Sequence, residues 1–328
     1  MSDPRLLVAL RGREEIDRVL KEELPGVPWQ YAGREPRPGM ERAEALLLGS
    51  VERELGDLDL RQLPRLTFVQ RVYTGMDGVP LDRFPPDVRL AGNVGAYAPF
   101  VSEHAVALAL DAARELPRAD ALVRAGTLRP PPDQRLLWGR TAVILGYGEI
   151  GRAIADRLAG FEVRVIGLNR TGSMAPGCAA MFAADHLSDA VRMGDFVFDT
   201  RPLTRRTRAT IDAAVLGSMK SEAVFINVGR AGTVDEGALY RHLLDHTGFR
   251  AALDVWWDED FSGGRIGHRF PFGSLPNVVG TPHCAGFGPG VEEHVLRRAV
   301  VNLRRFFSGE PPLYIIDRSE YEEPKTDR

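Results

Sequence analysis

The run Thr141-Ala142-Val143-Ile144-Leu145-Gly146-Tyr147-Gly148-Glu149-Ile150-Gly151 sets an apolar stretch directly against glycines in a G-x-G-x-x-G spacing. The apolar part predicts a buried strand, and Ile150 to Leu158 predicts the helix that follows it. Each glycine has a separate task in such a turn. The first makes it tight, the second lets backbone approach a pyrophosphate, and the third lets helix pack on strand. The helix start then offers N–H groups and the positive end of its dipole to phosphate oxygens. A bare spacing of this kind also occurs in surface turns. Here a strand precedes it, a helix follows, and a second apolar run, Glu162 to Leu168, comes where the next strand belongs. Gly146, Tyr147, Gly148, Glu149, Ile150 and Gly151 are therefore read as cofactor-binding, with the Glu149 side chain turned to solvent so that only its backbone meets phosphate.

The residues closing that second run decide which dinucleotide is preferred. A carboxylate there would grip the adenosine ribose hydroxyls of NAD. This chain has Asn169-Arg170-Thr171 instead. Without a carboxylate nothing repels a 2′-phosphate, and Arg170 is suited to charge-assisted bonds with one. NADP(H) is favoured on this reading, with NAD(H) still possible. Asn169 remains able to bond a ribose hydroxyl.

Further apolar runs follow at Phe196–Asp199, Ala223–Asn227, Ala251–Val255 and Val278–Thr281. Runs apolar on both faces, separated by helical or loop segments, imply a parallel sheet covered by helices. Ligands in such sheets bind beyond the carboxyl ends of the strands. Those ends carry Arg230, then Asp254 with Glu259 five residues on, then His283. The set suits reduction of a 2-keto acid. A guanidinium pairs bidentately with the substrate carboxylate. An imidazole, which exchanges protons near neutral pH, protonates the carbonyl oxygen. A carboxylate beside the imidazole orients the ring. Each has a plainer reading. Arg230 would pair with Asp235, Glu259 would sit in a solvated acidic turn, and His283 would be a satisfied strand-end histidine. Their shared placement favours the catalytic one. Asp254 is read either as a contact to the nicotinamide carboxamide or as a cap on local backbone.

Around this core the chain is ordinary. Its 328 residues suggest more than one domain. With 44% hydrophobic and 27% charged residues and a net charge of -3, it has no electrostatic footprint for nucleic acid or an anionic membrane. Cys178 and Cys284 fall in no ligand spacing, so neither a disulfide framework nor a metal site is expected. No apolar leader or membrane-length run is visible, which points to the cytoplasm. In the first hundred residues, Arg5–Leu10, Ala45–Leu48 and Leu66–Val72 read as strands and Arg13–Glu23 as a helix, a second small α/β domain. Glu103–Leu116 predicts a long helix, 117–134 an arm or connector rich in Pro and Arg, and Glu292–Phe307 a final amphipathic helix.

From about Phe68 to Phe307 the chain resembles the D-isomer-specific 2-hydroxyacid dehydrogenases. The resemblance rests on Gly146–Gly151, Arg201-Pro202-Leu203-Thr204 through Thr207-Arg208, Ile226-Asn227-Val228-Gly229-Arg230-Ala231-Gly232, Leu253-Asp254-Val255 and Thr281-Pro282-His283. It implies Arg230, Glu259 and His283 as the catalytic set, with Arg230 and His283 also touching substrate. It implies a carboxamide contact from Asp254, and Pro202, Thr207 and Val228 beside the cofactor. Tyr73-Thr74-Gly75-Met76-Asp77 looks like the family's substrate loop, with Thr74 and Gly75 holding the carboxylate. The implied architecture is two Rossmann-like or flavodoxin-like α/β domains with the active site in the cleft between them. Residues 1–98 and 290–328 would bind substrate, and 99–289 would bind the dinucleotide. A homodimer is implied, with the 117–134 arm contributing. Arg201 stands where an apolar residue is usual and is read as a further adenosine-phosphate contact. Trp256-Trp257 is read as packing, with closure of the substrate pocket as the alternative. Glyoxylate or hydroxypyruvate is the favoured type of substrate. A phosphite dehydrogenase-like enzyme and a non-catalytic, dinucleotide-sensing corepressor-like protein are the rivals. Formate dehydrogenases rank low because they carry Gln where this chain has Glu259.

Overall fold

The computed structural model describes residues 3–261, 263–267 and 269–321. They fall into two compact units, one running up to Tyr97 and resuming at Gly288, the other spanning Ala98–Phe287.

The first unit is built on β1 (Leu6–Ala9), α1 (Arg13–Glu23), β2 (Trp29–Tyr31), β3 (Ala45–Leu48), β4 (Phe68–Arg71) and β5 (Arg89–Ala91). The strands form a parallel sheet in the order β2-β1-β3-β4-β5, a flavodoxin-like winding. The Leu6–Ala9 and Ala45–Leu48 runs are buried throughout, which is why they are apolar without alternation. The C-terminal helix Val291–Phe307 returns to this unit. It packs on α1 and β4, stacking Phe306 on Phe68 at 5.1 Å between ring centroids. Arg297 on that helix bridges to Glu22 and Glu23 of α1 at 2.6 and 2.9 Å. The Thr74–Gly75 loop follows β4. Thr74 donates its hydroxyl to the Asn93 carbonyl at 2.9 Å, and Arg71 donates to the Gly75 carbonyl.

The second unit opens with α2 (Ala98–Arg114) and α3 (Leu116–Arg124), then β6 (Thr141–Leu145), α4 (Glu149–Leu158), β7 (Arg164–Asn169) and β8 (Ala180–Ala183). It continues through α5 (Leu187–Arg192), β9 (Phe196–Asp199), α6 (Ala213–Ser218), β10 (Val224–Asn227), α7 (Glu236–Asp245) and β11 (Arg250–Leu253). A hairpin of β12 (Asp258–Asp260) and β13 (Arg265–Gly267) precedes β14 (Val278–Gly280). Seven parallel strands lie in the order β14-β11-β10-β9-β6-β7-β8. The winding reverses between β6 and β9, which is where such sheets bind dinucleotides. Alternate residues face opposite ways. Val143, Leu145, Val197, Phe225 and Leu253 join Leu187, Val191, Leu216 and Leu239 of α5 to α7 in one core, while α2 packs with α4 and against β10 and β11.

The 117–134 stretch corrects one expectation. It is not wholly a connector, because α3 fills its first turns. Pro117 sits in the first turn, where its missing N–H costs nothing. None of the α3 residues is buried within this chain, and Leu116 and Val123 are exposed. Among the described residues no helix is long and apolar enough to cross a membrane.

One half-buried histidine makes the unit sensitive to acid. His242 on α7 stacks on His246 at 4.2 Å and meets the edge of Phe249 at 4.6 Å; its Nε2 is buried with no partner among the described residues. Burial, with His246 adding to it, pushes its pKa down to about 4. Unfolded, the ring binds a proton below about 6.5, whereas the folded site stays neutral until about 4. The unfolded chain thus holds more protons in that window, and stability falls as pH drops through it. Discounted for partial exposure, the loss attributable to this ring is about 1–2 kcal/mol. His242→Phe should flatten the pH dependence of urea unfolding between pH 7 and pH 4 by that amount; equal slopes in both proteins would dismiss the assignment.

Candidate active site

The glycine loop meets the demands read from its sequence, one glycine at a time. Gly146 has φ 87, and a Cβ there would lie 2.9 Å from Arg201 Cγ, so the turn admits only glycine. At Gly151 a Cβ would lie 2.8 Å from the Gly146 carbonyl oxygen and 3.0 Å from Ile144 Cγ2, the close approach of α4 to β6. At Gly148 a Cβ would meet no described heavy atom within 4 Å. That open side lies at the start of α4, where a helix leaves its first N–H groups without intrahelical partners. The Glu149 carboxylate turns aside to pair with Arg152. Ile150 follows it in the first turn of α4. Tyr147 faces inward, its ring lying against Gly167 and its hydroxyl donating to the Pro176 carbonyl at 2.9 Å, so only backbone remains for a ligand.

At the end of β7, the Asn169 side chain is spent on the loop that follows. Its Oδ1 accepts from the N–H groups of Thr171 and Gly172 at 3.1 and 2.7 Å, and its Nδ2 donates to the Ser173 carbonyl at 2.8 Å. This is a side-chain-built turn. It leaves Arg170 exposed and brings the Thr171 and Ser173 hydroxyls within 2.8 Å of each other. Ser173 was missed in the sequence because only the turn returns it to the strand end. Arg201 corrects an expectation. It does not reach out to an adenosine phosphate but turns inward, 7% exposed, and grips Asp199 with a two-pronged ion pair at 2.9 and 2.8 Å. The Thr207 hydroxyl likewise braces its own turn, donating to the Pro202 carbonyl at 2.6 Å, whereas Pro202 itself is exposed. Val228 is buried, its N–H bonded to the Asp199 carbonyl.

Beyond the carboxyl ends of β11 and β14 two titratable residues meet. His283 Nδ1 lies 2.9 Å from both carboxylate oxygens of Glu259. Glu259 is held in turn by the Trp256 N–H at 2.8 Å and by the pairing of β12 with β13. A neutral ring held this way carries its proton on Nδ1, bonded to the carboxylate, and has its acceptor lone pair on Nε2. The backbone at His283 is left-handed, with φ 51, a conformation uncommon outside glycine and one that sets where the ring points. Arg230 follows β10, the neighbour of β11, and its guanidinium donates to the Gly229 carbonyl at 2.8 Å. The plain reading of Glu259 as a solvated turn does not describe this pair, whereas His283 is, as its plain reading had it, a satisfied histidine at a strand end.

Asp254 is almost fully buried. Burial alone would raise its pKa. Donors from His104, Thr281 and the N–H groups of Cys284 and Ala285 outweigh this and hold it below the usual carboxylate range. His104 Nε2 lies 3.0 Å from the Thr281 hydroxyl, which donates to Asp254 at 2.6 Å. Nothing in the local sequence of α2 marked His104, because its partners are far along the chain. Burial and the Asp254 charge keep Cys284 a thiol, in line with a packing role. Both indoles are packed as well: Trp256 donates to the Thr281 carbonyl and Trp257 to the Val234 carbonyl, each at 2.9 Å.

Comparison with known proteins agrees with this geometry. Residues 106–285 match the D-isomer specific 2-hydroxyacid dehydrogenase, NAD binding domain family. A glyoxylate reductase of Pyrococcus furiosus is 28% identical over 335 residues, 96% of each chain. Among solved structures, one from Pyrobaculum aerophilum described as a candidate formate dehydrogenase superposes with a TM-score of 0.81 at 30% identity, covering 97% of this chain and 100% of that one. The NADPH-dependent glyoxylate/hydroxypyruvate reductase SmGhrB of Sinorhizobium meliloti, in complex with citrate, gives 0.76 at 25% identity, covering 98% and 100%. The chain belongs to the D-isomer-specific 2-hydroxyacid dehydrogenases, oxidoreductases that act on CH–OH donors with a nicotinamide dinucleotide.

Proposed function

We propose that this enzyme reduces a small 2-keto acid of the glyoxylate or hydroxypyruvate type, using NADPH in preference to NADH. The observation that carries the reading is the Glu259–His283 pair, held at the strand ends of the unit that bears the glycine loop, with Arg230 following the adjacent strand. The bound reduced nicotinamide supplies the hydride. Arg230 clamps the substrate carboxylate and draws electron density from the neighbouring carbonyl. Protonated His283 donates from Nε2 to the carbonyl oxygen as C2 is reduced, while Glu259 holds the ring through Nδ1. Buried Asp254 orients the carboxamide. Thr74 and Gly75 are the first unit's proposed contribution to carboxylate binding. Glu259, in place of the Gln of formate dehydrogenases, favours a keto acid over formate.

The preference for NADPH rests on the end of β7. No carboxylate stands there to repel a 2′-phosphate, and Arg170, Thr171 and Ser173 offer a cation and two hydroxyls. The S. meliloti relative is itself described as NADPH-dependent. Exposed Leu116 and Val123 on α3, with exposed Leu128 after it, support a homodimer through this arm. Initial rates of NADPH and NADH oxidation, side by side with glyoxylate, hydroxypyruvate and pyruvate, test the whole reading. Rapid NADPH-dependent turnover of one of the first two is expected. Binding of both dinucleotides without turnover of any keto acid would overturn it in favour of a sensor.

A further inference from the structure

Beneath the glycine loop lies a charged network that the reaction does not use. Asp199, the last residue of β9, is fully buried, yet it ends an otherwise apolar strand. Arg201 wraps back onto it through Nε and a terminal nitrogen, and its other terminal nitrogen donates to the Thr210 hydroxyl at 3.0 Å. The Thr233 hydroxyl, also fully buried, lies 2.8 Å from Asp199 Oδ2 and 2.8 Å from the carbonyl oxygen of Arg230. The network thus ends on the backbone of the residue proposed to clamp substrate.

Its other flank faces the cofactor loop. A Cβ at Gly229 would lie 2.7 Å from the Arg201 carbonyl oxygen, and one at Gly146 would lie 3.1 Å from the Arg201 nitrogen. Thr200 adds a hydroxyl bond to the Gly146 carbonyl at 2.8 Å. The backbone at 200–201 is therefore a spacer between the first glycine of the phosphate loop and the glycine beside Arg230. A buried ion pair contributes little stability compared with an apolar pair of similar size, so stability alone gives it no reason to be there. Its two-pronged geometry does fix a backbone separation more tightly than apolar contacts would.

We propose that Asp199, Arg201 and Thr233 are positioning residues, which set the height of the Arg230 loop against the cofactor loop and so align the keto acid with the nicotinamide. The proposal rests on the reading of Arg230 as the carboxylate clamp. Removing Asp199 alone would strand a buried guanidinium, so the test works through Thr233. Thr233→Val keeps shape, ion pair and the bonds that the Arg230 carbonyl accepts from the Thr233 N–H and Asn227 Nδ2, but removes the hydroxyl whose single hydrogen bridges Asp199 and that carbonyl; Thr233→Ser keeps the hydroxyl.

Four quantities are measured for each protein: keto-acid kcat and KM, dinucleotide Kd by fluorescence titration, and Tm. For Thr233→Val, kcat/KM should fall about 10–100-fold, as expected for a misplacement of well under an ångström to one ångström, with dinucleotide Kd unchanged. Thr233→Ser should recover most of that loss. Asp199→Leu combined with Arg201→Leu should hold or raise Tm and still lose kcat/KM. Wild-type kinetics in Thr233→Val, or a loss that Thr233→Ser does not recover, would overturn the proposal. So would a parallel loss of dinucleotide affinity, which marks a general structural defect. Arg230→Ala is run alongside. If it keeps the wild-type keto-acid KM, the clamp reading fails in its own right, and that result is separate from anything Thr233 does.

Discussion

His283→Ala should lower kcat for keto-acid reduction by about 10³–10⁴-fold, near the upper end of what a positioned general acid contributes, while dinucleotide Kd stays at the wild-type value. The two readouts separate because the ring lies beyond β14, whereas the proposed pyrophosphate cradle lies at Gly146–Gly151 after β6, with three strands between them in the sheet. His283→Asn is the companion variant, since asparagine also tolerates the left-handed backbone that His283 occupies at φ 51. It therefore removes the acid with less disturbance of the loop. Alanine is less suited to that conformation, so a Tm drop confined to His283→Ala would reflect backbone strain and leave the kinetic conclusion to His283→Asn. Retained turnover in His283→Asn would remove His283 from the chemistry.

The sequence made the second unit legible because its signals are local. Thr141–Leu145 is a strand with the same bounds as its apolar run, and each glycine after it has one physical demand that sequence spacing expresses. Short strands without an apolar run stayed hidden. β2 reads Trp-Gln-Tyr and β5 reads Arg-Leu-Ala, and each becomes a strand only because a buried neighbour offers it a ladder. The same limit applies at the site. Arg230, Asp254 and His283 were legible as strand ends, but the direction of a side chain is not. Arg201 follows a strand end as Arg230 does, yet it points inward because Asp199, two residues earlier, needs a cation in its buried position. A carboxylate closing the apolar run Phe196-Val197-Phe198 was the signal available for that pair. His104 carried none, since Thr281 lies 177 residues away.

Glu259→Gln should cost about 10²–10⁴-fold in kcat while leaving the fold intact, because it changes which nitrogen of His283 carries the proton. The carboxylate only accepts, so it holds the hydrogen on Nδ1 through oxygens at 2.9 Å. Glutamine fills the same space but has an amide that donates. The Trp256 N–H, 2.8 Å from Oε1, demands an acceptor, so it selects the flip that puts the glutamine oxygen toward Trp256 and its NH₂ toward the ring. Nδ1 would then accept, and in the neutral ring the hydrogen would move to Nε2, the atom proposed to exchange a proton with substrate. The imidazolium, which needs both N–H groups for donation, would lose its partner as well. Glu259→Asp separates charge from reach, since it keeps an acceptor but shortens the arm by one methylene; it should retain more activity than Glu259→Gln. NMR of the ring nitrogens gives a readout independent of turnover: Nδ1 protonated in the wild type, Nε2 protonated in Glu259→Gln. Unchanged tautomers together with unchanged kcat would take Glu259 out of the account and leave His283 positioned by its backbone alone.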